Sequence, residues 1–215
     1  MLKFQQFSFF LLLLLAAAAQ AQTTPVLLKD INTNGFPKKG SRPDLYNDFF
    51  MPIKGDKVFF FAKTNGDPYE EQPYISDGTS AGTILLNKDI YTALTRSHTY
   101  DPKNGLVYFA ARKDVQISSK ADTELWVSDG TVAGTKMVKD IEPGTESSEP
   151  KNLTVANGLV YFICDYGSPS KRGLWVSNGT DAGTIQLSDK IPNNIVNFKE
   201  KIYLSMPVSS FNNEL

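Results

Sequence analysis

From residue 50 onward the apolar residues come in short runs, and turn-forming residues interrupt them. "GDKVFFFAK" begins at Gly55, "NGLVYFAAR" at Asn104, "NGLVYFICD" at Asn157 and "KEKIYLSMP" at Lys199. The runs are rich in Val, Leu, Tyr, Phe and Trp, and most are entered from Asn-Gly or a similar pair. That pattern predicts β-strands joined by tight turns. Beyond residue 22 no stretch keeps a sustained 3.6-residue apolar period, so helices are expected to be few.

A second phrase follows each of the first three runs. It reads "YISDGTSAGTILLNKDI" from Tyr74, "LWVSDGTVAGTKMVKDI" from Leu125 and "LWVSNGTDAGTIQLSDKI" from Leu174. Its first glycines are Gly78, Gly130 and Gly179, spaced by 52 and 49 residues, and a further "KDI" stands at residues 29–31. Self-similarity at such a period decides architecture before anything else does. In the third unit residues 152–156 read as one strand. "LVYFAA", "ELWVS" and "TKMVKDI" supply the other three strand positions. Four short antiparallel strands in about fifty residues is the signature of a β-propeller blade. A solenoid coil is usually shorter and a sandwich domain longer.

The expected organisation is therefore all-β, a propeller-like array of four-stranded antiparallel blades forming an incomplete ring. Residues 22–31 would be the last strand of an incomplete unit. Residues 32–90 would form a degenerate first repeat, 91–141 the second, 142–191 the third and 192–215 the start of a fourth. The chain ends in "NNEL", one residue short of the position that Trp126 holds after "EL". On this pattern it is expected to be the beginning of a longer protein, and to self-associate when expressed alone. The rival arrangement is a closed four-bladed ring in which the N-terminal strand completes the last blade.

The repeated phrase reads as strand, turn, strand. Asp129 is suited to hydrogen-bond its own backbone two residues on, and Gly130 to take the positive φ such a turn requires. Gly134 offers a second permissive point. Asn178 replaces Asp129 in the third unit; an amide makes the same turn but is a poorer cation ligand, and the dense carboxylates of a calcium loop are missing. Trp126 and Trp175 hold matching positions, with Tyr74 in the first unit. One large flat side chain per unit suits a wedge between neighbouring sheets better than a sugar-stacking platform.

Composition changes this picture little. The 215 residues are 41% hydrophobic and 21% charged with a formal charge of −1, which is globular and gives no electrostatic reason to bind nucleic acid. The first residues matter more. Lys3, the apolar run at residues 9–19 and Ala19-Gln20-Ala21 form a secretory signal peptide over residues 1–21, with cleavage before Gln22. A span needs about twenty apolar residues, so no membrane span is expected. Cys164 is the only cysteine and His98 the only histidine. No internal disulfide is possible, and Cys164, inside an apolar run, reads as a small buried hydrophobe.

"ELWVSDGTVAGT" at residues 124–135, with "KDI" at 139–141 and Pro143-Gly144, resembles the ELWxxDGT repeat of secreted and cell-surface bacterial proteins. The third unit departs at Gly173 and Asn178, and the first has Gln72-Pro73-Tyr74 where Glu-Leu-Trp is expected. The resemblance implies an extracellular repeat protein, often part of a large chain, some members carrying a C-terminal sorting domain. It supplies no catalytic residues.

The expected function is a secreted or cell-surface, non-catalytic binding or adhesion protein with an unknown protein or glycan ligand. The alternatives are a structural surface array and a carbohydrate-acting enzyme. The enzyme would need carboxylates converging from different units. Asp67, Glu70, Glu71 and Asp165 lie in loops suited to that role, but nothing in the sequence singles them out. No residue is assigned as catalytic, cofactor-binding or metal-binding, and no cofactor is expected.

Overall fold

In a computed structural model, the structure describes residues 50–63, 71–93, 97–113 and 122–207. The chain divides into two compact units, Met1–Asp30 and Ile31–Leu215, and every described residue belongs to the second. The expected signal peptide, the strand at 22–31 and the terminal "NNEL" lie outside the described residues, as do Asp67 and Glu70.

The described chain is all-β, apart from one 3₁₀ turn at Pro169–Lys171. The first sheet holds β1 (Phe50–Ile53), β2 (Lys57–Lys63), β3 (Glu71–Ser76) and β4 (Ile84–Leu85), in chain order. The second holds β5 (Tyr91–Thr92), β6 (His98–Asp101), β7 (Leu106–Arg112), β8 (Thr123–Ser128) and β9 (Lys136–Lys139). Here β5 and β6 pair with successive stretches of β7, so together they fill one interrupted edge position. The third sheet is β10 (Lys151–Ala156), β11 (Leu159–Cys164), β12 (Gly173–Ser177) and β13 (Ile185–Ser188). A two-stranded fourth sheet joins β14 (Asn194–Phe198) to β15 (Lys201–Ser205). All pairings are antiparallel, and none of these sheets closes on itself.

The period-2 alternation of the second strands explains how the sheets stack. On β7, Val107, Phe109 and Ala111 enter an apolar cluster with Met51, Phe59 and Ile75 of the first sheet. Tyr108, on the other face of β7, joins Val160, Phe162 and Cys164 of the third sheet. A smaller cluster links Ile163 and Leu174 to Ile195 of the fourth. All six residues of β8 are buried, which follows from a central strand covered on both faces.

Trp126 and Trp175 fill these interfaces. Trp126 sits in the cluster shared with the first sheet, and Trp175 in the cluster shared with the second. Each pairs across the ladder with a phenylalanine of the second strand, Phe109 or Phe162, and Tyr74 likewise pairs with Phe60. Truncating such a buried indole to alanine costs about 3–5 kcal/mol. The repeated "KDI" has the same logic, since Ile90 and Ile141 are each 1% exposed and close successive clusters.

Candidate functional site

Two sets of polar residues recur from unit to unit, both at the end of the sheets where the first strand turns into the second and the third into the fourth. The first is the Asp-Gly-Thr turn. Asp129 Oδ1 accepts from Thr131 N at 2.9 Å and from Thr131 Oγ1 at 2.7 Å. Thr131 Oγ1 in turn accepts from Gly134 N at 2.9 Å. Thr135 Oγ1 donates to Thr131 O at 2.7 Å, so the 2.7 Å contact between Ser128 Oγ and Thr135 Oγ1 must be donated by Ser128. Ser128 Oγ then accepts from Gly130 N at 3.1 Å. Every hydroxyl proton is thereby placed, and the turn closes on itself.

The first and third units reproduce this network. Asp77 Oδ1 accepts from Thr79 N and Oγ1, and Asn178 Oδ1 accepts from Thr180 N and Oγ1. Only an oxygen acceptor is used, so the amide of Asn178 serves as well as a carboxylate. The bonds from Thr79 hold the Asp77 carboxyl below its ordinary value. Gly130 has φ +84°, as the turn requires. Gly134 has a different role from the permissive backbone expected of it. A Cβ there would lie 1.9 Å from Asp129 Oδ1, and the same clash, at 2.0 Å, would arise at Gly82 and at Gly183. The glycine makes room for the side chain that caps the turn.

The second set links the turns between the first and second strands of successive sheets. Tyr100 Oη accepts from Lys54 N at 2.9 Å. Asn104 Nδ2 donates to Gly158 O at 3.0 Å, and Lys103 Nζ to Asn157 O at 3.0 Å. Asn157 Nδ2 continues to Glu200 O at 2.8 Å, while Asn197 Nδ2 reaches back to Val155 O at 2.6 Å. Asp101, fully buried, anchors the series by accepting from Lys103 N and Asn104 Nδ2. These contacts border a cleft of about 650 Å³, lined from β6, β10 and β14 by Thr99, Tyr100, Thr154, Val155 and Asn197. Its lining mixes amide, hydroxyl and aromatic groups and includes Lys103 and Glu200. Leu153, Val155 and Pro102 stand beside these polar groups, and Thr154 Oγ1 and Glu200 Oε2 already bond within the protein, to Ile195 O and Asn157 N.

The head of the third strand is where the units differ. Glu124 is fully buried and its carboxylate accepts from Ile141 N, Glu142 N, Ser148 N and Ser148 Oγ, the last at 2.6 Å. It thus ties the strand to the segment leading into the next sheet. Burial pushes its carboxyl up to about 7, against the four donors. In the first unit Gln72 Nε2 instead donates to Lys88 O at 2.6 Å. In the third, Gly173 has φ +136° and a Cβ would lie 2.0 Å from Ser188 O, so no side chain is accommodated.

Glu124, Asp122 and Asp140 bring carboxylate oxygens within 4.8 Å of one another. Asp122 is pushed up by burial and pairs with Lys113 at 3.7 Å. This grouping carries no local signal in the residue order, because its members come from both sides of the β8–β9 hairpin. Of the acidic residues considered for an enzyme, Glu71 lies buried on β3 and Asp165 follows β11, where it pairs with Lys151. They belong to different sheets, and neither joins the acidic cluster. Cys164 is buried between the second and third sheets, and burial holds its thiol well above its ordinary value. His98 packs edge-on against Phe61 on the other side of the second sheet. The two do not form a pair.

Among the described residues no helix is long and apolar enough to cross a membrane, and the single cysteine excludes an internal disulfide. No protein-family model, curated protein or solved structure matches the chain.

Proposed function

We propose that the chain is an extracellular, non-catalytic binding module of the ELWxxDGT-repeat kind, its stacked sheets arranged as part of a propeller, with its ligand site beside the turns between the first and second strands of its sheets. The observation that carries this reading is the cleft to which three successive sheets contribute through β6, β10 and β14. Clefts where several elements converge are where ligands are usually held. The hydroxyl and amide lining suits a glycan or an extended peptide. Location outside the cell rests on the signal-like residues 1–21, and N-terminal sequencing of exported protein should find Gln22 first; a retained Met1 overturns it.

A glycan and protein binding screen tests the site. Thr99→Trp fills the cleft and leaves the Asn104, Asn157 and Asn197 bonds in place. A ligand that binds the wild type and is lost by this variant, at unchanged melting temperature, supports the assignment. Failure of the screen, or binding indifferent to the filled cleft, overturns it. A second reading, a structural surface array, is favoured by the outer turns, whose recurring polar groups are spent on one another.

A further inference from the structure

Asn178 stands where the other two turns carry aspartate, and glycine follows it. That pairing is open to a reaction of the chain with itself. A glycine nitrogen, unshielded by a side chain, is well able to approach the amide carbon of the residue before it. Three described Asn-Gly pairs can be compared: Asn104-Gly105, Asn157-Gly158 and Asn178-Gly179. All three asparagines are exposed, so access of water does not separate them. Asn34-Gly35 and Asn65-Gly66 lie outside the described residues.

What separates the three is which end of the amide is bonded. Asn104 Nδ2 donates to Asp101 Oδ2 at 2.7 Å and to Gly158 O at 3.0 Å, and Asn157 Nδ2 donates to Glu200 O at 2.8 Å. In both, the group that would have to leave also ties neighbouring sheets together. Gly105 N is committed as well, to Asp101 O at 2.8 Å. Asn157 is further fixed at φ +54° in a turn whose flanking residues, Ala156 and Leu159, pair directly.

At Asn178 the arrangement is reversed. Its Oδ1 accepts from Thr180 N at 3.0 Å and from Thr180 Oγ1 at 2.7 Å, while Nδ2 has no hydrogen-bond partner among the described residues. Two donors on the carbonyl oxygen draw electrons from Cγ and stand ready for the oxyanion that attack there would create. The bond to Thr180 N also closes a ring through the Gly179 nitrogen, which keeps Cγ folded toward it. The proton on that nitrogen points to Ser177 Oγ at 3.0 Å, a hydroxyl instead of a backbone carbonyl.

We propose that Asn178 is a self-deamidation site, converted within its own turn ahead of Asn104 and Asn157. Hydroxide from the solvent takes the Gly179 N proton, the nitrogen bonds to Asn178 Cγ, and the carbonyl electron pair moves onto Oδ1. As that oxyanion collapses, the Cγ–Nδ2 bond breaks, and Nδ2 takes a proton from water and leaves as ammonia. Water then opens the cyclic imide. Breaking its bond to Cγ gives aspartate, and breaking its bond to the main-chain carbonyl carbon gives isoaspartate. The aspartate product is the residue that the first two units already carry, and it keeps both acceptor roles toward Thr180. None of this depends on the ligand cleft.

The test incubates the whole folded chain in mildly alkaline water enriched in heavy oxygen and maps its peptides by mass spectrometry. Label at a site marks conversion during the incubation. Asn178 should convert about tenfold faster than Asn104 or Asn157, short of the roughly hundredfold that one donor contributes in a water-excluded site. Thr180→Val removes the hydroxyl donor and should slow Asn178 about threefold, with Asn104 as the internal clock. Thr180→Ser restores the hydroxyl and should restore the rate. A variant that only loosened the turn would speed Asn178 up, so the direction of the change separates the two effects. In concentrated urea the three sites should converge. Asn178 converting no faster than the other two, a rate unchanged or raised in Thr180→Val, or a ranking that persists in urea overturns the proposal.

Discussion

The outer Asp-Gly-Thr turn and the head of the third strand lie on the same hairpin of each unit, yet they have diverged to different degrees. The turn keeps one hydrogen-bond network three times over, even where Asn178 replaces Asp. The strand head has three solutions: Gln72 donating to a carbonyl, Glu124 gathering four donors, and Gly173 with no side chain at all. The turn is satisfied by residues within one short stretch, so copying that stretch copies the structure. Glu124 is satisfied by Ile141, Glu142 and Ser148, so its chemistry is right only while the connection to the next sheet is unchanged.

The largest effect is expected where the unit reaches furthest. Glu124→Ala at pH 5 leaves buried backbone donors unpaired and should cost about 3 kcal/mol in chemical denaturation. Gln72→Ala removes one hydrogen bond and should cost about 1 kcal/mol. Equal losses would erase the distinction between the two heads.

The same carboxyl gives the comparison a pH dependence. Its folded value of about 7 lies above the ordinary 4.5, so between those values the folded state keeps a proton that the unfolded chain has released. Stability from this group is therefore complete below about 4.5 and falls as pH rises toward 7. Melting temperature should decline across that window, and Glu124→Gln should flatten the decline. A slope unchanged in the variant would assign the effect to other groups.

Within the turn, Gly134→Ala should cost about 2 kcal/mol by driving a methyl into the Asp129 carboxyl, and Asp129→Ala about 1 kcal/mol. The double variant should lose less than the sum, because no carboxyl remains for the methyl to strike. Strict additivity would refute the close-approach role of Gly134.

The smallest effect is the most telling about repetition. Asp129→Asn should stay within about 1 kcal/mol of wild type by thermal unfolding, since Asn178 already makes the same bonds. A chelator should leave the wild-type melting temperature unchanged. A large drop in either measurement would mean the turns need charge or a cation.

Much of this was legible in the residues. The strand expected at 152–156 is β10, "ELWVS" falls within β8, and the Asp-Gly pairs mark the reversals. Those features are local, set by side-chain alternation and by turn chemistry. The role of Gly134 was not legible, because a glycine needed for space and one needed for φ look alike in text. Nor were the links through Asn104, Asn157 and Asn197, whose acceptors are backbone carbonyls and carry no sequence signal. The break between β5 and β6 was missed for a related reason: one edge position is filled by two pieces of chain.

The order of strands within the sheets also bears on how the molecule forms. Each sheet is built from strands adjacent in the chain, and each apolar cluster joins only successive sheets. Most of the ordering entropy is then recovered over short loops, a condition that favours rapid folding for an all-β protein. Energetically the stack behaves as a row of coupled units. Opening should begin at β14 and β15 and reach β7 and β8 last, a gradient that amide hydrogen exchange resolves strand by strand.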